Sequence, residues 1–305
     1  MSRYQKKIIF LLIAILLSLP SIAPSREFTK GESPEGEPPD GMVYIPAGEF
    51  TMGNDVTDDR KRLGGTLTID ETPKRKVYVK AFFMDKYEVT NRQYKEYLDA
   101  VKKMGIKAFS HYKDEGIPIP DRWSVESYPE GEDDYPVVDV DWYMANKYCA
   151  FLEKRLPTEE EWEKAARGTD ERIYPWGDDH EPGYSNNLEY WFSKFKDLKE
   201  LEKRQRELPV GSFKKDVSPY GAYDMAGNAF EWTVSLYRPY PGNDSKKNVF
   251  NLDLYVLRGG SYTMPVYSFG RTTSRHFRQP TDTRSAHADW HTRMDIGFRC
   301  VMDAK

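Results

Sequence analysis

The chain has 305 residues, enough for one large domain or two small ones, and its 39% hydrophobic and 14% aromatic content can supply a core. Its 21 glycines and 20 prolines point to many turns and modest regular structure. The formal net charge of −4 is small for this length and no long basic run exists, which argues against a nucleic-acid partner.

At the N-terminus, Arg3, Lys6 and Lys7 precede the apolar run 8–19. That is the pattern of an export signal, and the run is short for a membrane span. Ala23 and Ser25 are small residues where a signal peptidase reads. Residues 1–25 are therefore expected to be a signal peptide, with an uncleaved N-terminal anchor as the alternative. No cysteine lies near the site, which excludes a lipoprotein anchor. Residues 26–40 are acidic and full of Pro and Gly, so they read as a disordered linker. A single domain follows over 41–303.

Within it, Val43–Pro46 and Glu49–Gly53 read as short strands around a Pro46-Ala-Gly48 turn. Residues 76–80 alternate as a half-buried strand does, and 82–87 continue as another. Thr90 is a helix N-cap, with Tyr94 and Leu98 four apart on one face. Asp141 caps a second helix, whose core stripe is Ala145, Cys149 and Leu152. The box Thr158-Glu-Glu-Glu161 opens a third, which buries Trp162, Ala165 and Ala166. Residues 192–207 read as one highly charged helix, either a solvated face or a partner-docking surface. Tyr255-Val-Leu257 is a strand that breaks at Gly259-Gly260 and resumes with Ser261 and Tyr262. Paired glycines there mean a bulge or a close approach to the backbone. Beyond them, side chains rich in Arg, His, Tyr and Trp suit a binding surface, the alternative being a loop-rich edge that closes the fold. Export makes Cys149 and Cys300 candidates for one disulfide, against two buried thiols.

Several motifs come in a recognisable order: Glu88-Val-Thr-Asn91, Lys154-Arg-Leu-Pro-Thr-Glu159, Glu161-Trp-Glu163, Tyr174-Pro-Trp-Gly177, Pro209-Val-Gly211, Asp224-Met-Ala-Gly-Asn-Ala-Phe-Glu-Trp232, Leu257-Arg-Gly-Gly-Ser261 and Gly297-Phe-Arg-Cys300. Together they resemble the formylglycine-generating enzyme, or sulfatase-modifying factor, family from about Gly41 to Met302. The resemblance implies an α+β domain with a variant C-type lectin fold, low in regular structure. It also implies that Cys149 pairs with Cys300. A calcium site would use the Asp224 side chain, the Gly227 and Ala229 carbonyls and the Glu231 carboxylate, and mixed oxygens of this kind suit a hard cation. A second calcium site would begin at Asn187 and the Leu188 carbonyl, but the charged segment 192–207 replaces the loop that should complete it.

The family's enzymes hold Cu(I) through two cysteines after the Gly-Gly-Ser motif and use O2 to convert a sulfatase cysteine to formylglycine. The matching positions are Met264 and Phe269. A ring cannot ligate metal and a thioether lacks the thiolate charge, so no copper and no such oxidation are expected. His276, His287, Asp289 and His291 offer an alternative metal set, iron being known in distant relatives; otherwise they are exposed loop histidines. The expected ligand-binding face is Ser261, Tyr262, Tyr267, Arg271, Arg275 and Trp290, because arginine forks suit carboxylate or sulfate and rings add flat contact. The arginines could instead pair with local acids. The resulting expectation is an exported, non-catalytic protein that binds a protein or peptide partner, as an accessory or assembly subunit of a periplasmic or membrane-associated complex. A protein-modifying oxidase with another metal centre is the alternative, and simple ligand or glycan binding a third reading without a motif of its own.

Overall fold

The computed structural model describes residues 37–55, 69–105, 108–109, 117–118, 120, 123–124, 127–244, 248–280 and 295–304. Residues 1–25, most of the linker, His287, Asp289, Trp290 and His291 lie outside the described residues.

Strands β1 (Met42–Ile45), β4 (Phe82–Asp85) and β11 (Val301–Asp303) form an antiparallel sheet with β4 in the middle. β2 (Gly48–Met52) pairs with β3 (Arg75–Val79) in a separate ribbon. β5 (Ala108–Phe109) and β6 (Ile117–Pro118) make a two-residue parallel contact. A four-stranded sheet runs in the order β10 (Ile296–Gly297), β7 (Phe230–Leu236), β8 (Tyr255–Arg258), β9 (His276–Arg278).

Three capped helices cover these sheets. In α1 (Asn91–Lys103) the Thr90 hydroxyl accepts from the Gln93 N–H while the Gln93 side chain accepts from the Thr90 N–H. The two exchanges satisfy donors that the first turn would otherwise orphan. Its buried residues Tyr94, Tyr97, Leu98 and Val101 follow helical spacing. Asp141 caps α2 (Trp142–Phe151) by accepting from the Met144 N–H at 2.8 Å. Thr158 and Glu161 form the capping box of α3 (Glu159–Arg167).

One apolar core joins α1, α2, β7 and Phe298, with Tyr94 stacked on Tyr148 at 5.6 Å and edge-on to Trp123 at 5.9 Å. A second packs α3, through Trp162, Ala165 and Ala166, onto β1, β2 and β4. Cys149 of α2 is bonded to Cys300, with a Cα–Cα distance of 5.6 Å, as the resemblance implies.

Three local expectations need correction. Leu152, expected on the core stripe of α2, is exposed, because the helix ends at Phe151 and Leu152 is its C-cap residue. Residues 192–207 do not form one helix: α4 (Leu188–Lys194) ends at an extended Phe195, and α5 (Leu198–Arg204) restarts from an Asp197 cap. Trp191 and Leu201 are ten residues apart, so a continuous helix would point them about 80° apart. The break lets both reach one cluster with Tyr262. The strand expected to resume at Ser261 is instead a turn, in which the Met264 N–H donates to the Ser261 carbonyl.

Candidate functional site

The Gly259-Gly260 pair ends β8 with φ of 91° and 72°, a region open to glycine. A Cβ on Gly260 would stand 3.0 Å from the Phe269 carbonyl carbon and oxygen. The pair therefore serves close approach: it lets the short helix α6 (Val266–Phe269) press against the strand end. Met264, just before this helix, is buried, and its carbonyl accepts from the Leu188 N–H at 3.0 Å. The Phe269 ring lies edge-on to Phe230 at 6.2 Å and to His276 at 5.8 Å, and His276 itself stacks on Phe230 at 5.2 Å. Both positions thus carry side chains that belong to or pack against the main apolar core.

The expected ligand-binding face is largely overturned. Arg271 is only 1% exposed and makes a bidentate pair with Glu71, both contacts at 2.7 Å, while Thr273 donates to the same carboxylate. Arg275 is held by Glu159 at 2.6 and 3.0 Å and lies 4.2 Å from the Tyr240 ring centre. The buried guanidinium of Arg258 joins Glu163. Desolvating a guanidinium is unfavourable unless a carboxylate meets it, and the chain supplies one for each. Ser261 is buried and donates to Asp295 at 2.6 Å. Tyr262 is buried too, its carbonyl accepting from Gln205. Tyr267 remains 42% exposed, edge-on to His180, whose ring also neighbours the stacked pair Tyr174 and Trp176. Histidine 276, of the alternative metal set, is engaged in the ring cluster described above.

The loop preceding β7 gathers buried acids. Asp224 has a φ of 58° and its carboxylate accepts from the Gly211 N–H at 2.6 Å. Glu88 accepts from the Asn228 side chain at 2.6 Å and the Ala229 N–H at 2.9 Å. Glu231 accepts from Trp162 Nε1 at 2.8 Å and from Arg299 at 2.6 and 2.7 Å. Asp216 lies across from Asp224, accepting its N–H on the backbone carbonyl. Burial pushes the Asp224 carboxyl up to about 7. Burial first, and the neighbouring Asp224 second, hold Glu88 and Asp216 well above the carboxylate range. Among the described residues, these four buried carboxylates share the electrostatic influence of one guanidinium, that of Arg299.

Among the described residues no three His, Cys, Asp or Glu side chains stand as a ready ligand set. The expected calcium set is half backbone, however. Among the described residues no donor is seen reaching the Gly227 or Ala229 carbonyl, and Asp216 Oδ1 is buried without a partner. Excess buried negative charge with unused hard oxygens fits a divalent cation. Glu231 still has lone-pair capacity beyond its three donors. The second expected site fares worse. The Asn187 side chain caps α4 through the Tyr190 N–H and donates to the Pro182 and Ser185 carbonyls, and Leu188 opens that helix.

Comparison with known proteins decides the family. The model of the sulfatase-modifying factor enzyme 1-like domain matches residues 27–304. The chain belongs to the sulfatase-modifying factor, or formylglycine-generating enzyme, family. It is 32% identical to inactive C-alpha-formylglycine-generating enzyme 2 of Mus musculus over 86% of each chain. It is 31% identical to the formylglycine-generating enzyme of Bos taurus, over 90% of this chain and 78% of that one. The solved structure of PvdO from Pseudomonas aeruginosa superposes with a TM-score of 0.60 at 26% identity, covering 86% of this chain and 94% of PvdO. The mixed α+β architecture is therefore that of the family. This member differs from the copper pattern at Met264 and Phe269, and it carries two acids at the loop, Glu88 and Asp216, that motif reading did not place there. Glu88 opens the motif Glu88-Val-Thr-Asn91, so its presence was visible although its role was not.

Proposed function

We propose that this family member is an exported, non-catalytic binding protein that acts as an accessory or assembly subunit for a protein or peptide partner. The reading rests on one observation: the positions expected to carry two copper thiolates hold a buried thioether and a ring packed against Phe230 and His276. Similarity to an inactive relative at 32% identity supports it. No helix among the described residues is long and apolar enough to cross a membrane; the basic residues and apolar run at the N-terminus support export. We further propose that Asp224, the Gly227 and Ala229 carbonyls and Glu231 hold calcium. The ion would supply charge neutralisation that fixes the loop, and no redox step.

The test is direct. Purified protein given Cu(I), O2 and a cysteine-bearing sulfatase peptide should yield no aldehyde; conversion to formylglycine would overturn the reading. Native protein purified in mild detergent should retain a defined partner, whereas recovery as a lone monomer under several conditions counts against an accessory subunit. The second reading, an oxidase with another metal, is favoured by the likeness to the formylglycine-generating enzyme of Bos taurus and by His276 beside Phe269. It requires stoichiometric iron, copper or zinc in the purified protein and metal-dependent O2 uptake.

A further inference from the structure

Among the described residues β3 pairs with β2 alone, in a two-stranded ribbon. Alternate residues of such a strand turn their N–H and C=O away from the partner, towards a side with no strand to meet them. A cleft of about 580 Å³ lies along residues 77–81, bounded by the first turn of α3 and by Asp303 and Ala304 at the end of β11. That size suits a bound ligand or a short segment of chain. The far wall also has backbone to offer. Val301 exchanges both its backbone bonds with Arg155, so Asp303, two residues on, turns its own N–H and C=O to the same side. The exposed face of β3 is patterned: Lys76, Tyr78 and Lys80 alternate with Val77 and Val79, and Tyr78 is 64% exposed. The acids of the cleft are already met, Glu160 by Arg75 at 3.2 Å, and Glu161 and Asp303 by Arg155. Lys76 gives its ammonium to the neutral Thr51 hydroxyl at 2.7 Å, and among the described residues no ion pair reaches Lys80. Glu49, opposite Tyr78 on β2, pairs with neither lysine among the described residues. The charge left uncompensated along β3 is therefore positive.

We propose that the free edge of β3 receives an extended acidic peptide segment of the partner, added as a further strand in this cleft, with carboxylates beside Lys76 and Lys80 and an apolar side chain beside Tyr78. This rests on the accessory reading above and names its surface. Backbone bonds to the edge strand supply affinity, and alternate side chains supply the choice of sequence. Neighbours on one face of a strand stand two residues apart, so the segment carries an acid, an apolar residue and an acid at every second position. A second copy of this chain fits less well. Like edges would bring lysine beside lysine, the arrangement by which edge strands deter self-pairing.

The probe is a fluorescent heptapeptide in which threonines alternate with glutamate, valine and glutamate, in that order, read by polarisation. Wild type should bind it, less tightly as salt rises. The double variant Lys76→Glu/Lys80→Glu should bind on the order of tenfold more weakly, and because both lysines are exposed it should melt with wild type. A peptide with lysine in place of glutamate should bind less well, and one with N-methyl groups on its central amides should lose binding, since it cannot complete the ladder. No binding by wild type, equal binding by the double variant, or equal binding of the N-methylated peptide overturns the proposal. Native partner captured equally by wild type and double variant also overturns it, while the accessory role stands. Wild type that binds the peptide but is recovered as a lone monomer defeats the accessory role and leaves this surface supported. Self-association of wild type that the double variant abolishes would seat a second copy in the cleft and overturn the peptide as its occupant.

Discussion

Arg299 is the residue on which the acidic loop depends, and its removal gives a prediction with a sign and a size. Its guanidinium makes two contacts to Glu231, at 2.6 and 2.7 Å, and donates to the Tyr223 carbonyl at 2.8 Å and the Asp85 carbonyl at 3.2 Å. Both side chains of the pair are fully buried. Arg299→Met strips the cation and leaves Glu231 beside Glu88 and Asp224 with no positive partner. Breaking a buried pair from one side costs about 3–5 kcal/mol, and the two carbonyls left without a donor add about 1 kcal/mol each. The sum, roughly 5–7 kcal/mol, is comparable with the whole stability of a typical domain. Glu231→Gln is a different perturbation. It keeps an acceptor for Trp162 and leaves the guanidinium among other acids, so the loss should be about 1–2 kcal/mol. Urea unfolding in EDTA at pH 7.5 measures both. The reasoning fails if Arg299→Met loses less than about 1 kcal/mol, or if the two variants lose equal amounts. On the proposed calcium site, calcium should recover part of the Arg299→Met loss, because a divalent ion there would supply the missing charge to the same carboxylates.

Three further predictions follow from the same structure. Asp224 has its folded pKa raised to about 7 by burial, so the metal-free protein gains stability where that carboxyl is protonated. The gain is full below the unfolded value of about 4 and is lost as pH rises through about 7. In EDTA the protein should therefore melt higher at pH 5.5 than at pH 8, and the upshift given by calcium should grow over the same interval; a flat EDTA profile refutes this. Replacing both cysteines by serine opens a loop whose ends are 151 residues apart; the chain-entropy relation gives roughly 5 kcal/mol, and scanning calorimetry should show a melting temperature lower by about 10 °C. Gly227→Ala puts a Cβ 2.3 Å from the Asn186 carbonyl oxygen, whereas Gly183→Ala meets nothing within 4 Å; equal urea midpoints for the two would contradict the packing described.

Local chemistry was readable from sequence, and long-range pairing was not. Thr90, Asp141 and Thr158 each cap the helix they announce, because a cap is written within four residues of the donor it satisfies. The glycine pair at 259–260 marks a close approach for the same local reason. Arg271 and Arg275 misled because their partners, Glu71 and Glu159, are 200 and 116 residues away. An arginine cluster in isolation reads as a sulfate or carboxylate receptor, and only the fold shows that the carboxylates are internal. The charged stretch 192–207 misled through its composition: uniform helix formers hide a break that Trp191 and Leu201 require in order to share a cluster with Tyr262. The acidic loop was half readable. Its motif named Asp224 and Glu231, while Asp216 and Glu88 arrive from other turns of the chain.

The two halves of the site differ in what holds them. Around Met264 and Phe269 the contacts are apolar, and a ring can take a thiol's place by packing on Phe230 and His276 without leaving any polar group unmet. Around Glu231 the contacts are ionic and mutually dependent, so a change at one acid alters the charge balance felt by the others. Side chains at these two positions can therefore vary locally while the acidic loop, Arg299 and the disulfide continue to fix the fold. Among the described residues of the expected face, Tyr267 is the exposed aromatic, beside His180, Trp176 and Tyr174. If partner binding uses that group, Tyr267→Ala should weaken capture of the native partner without moving the melting temperature; an unchanged yield of partner would place the contact elsewhere on the surface.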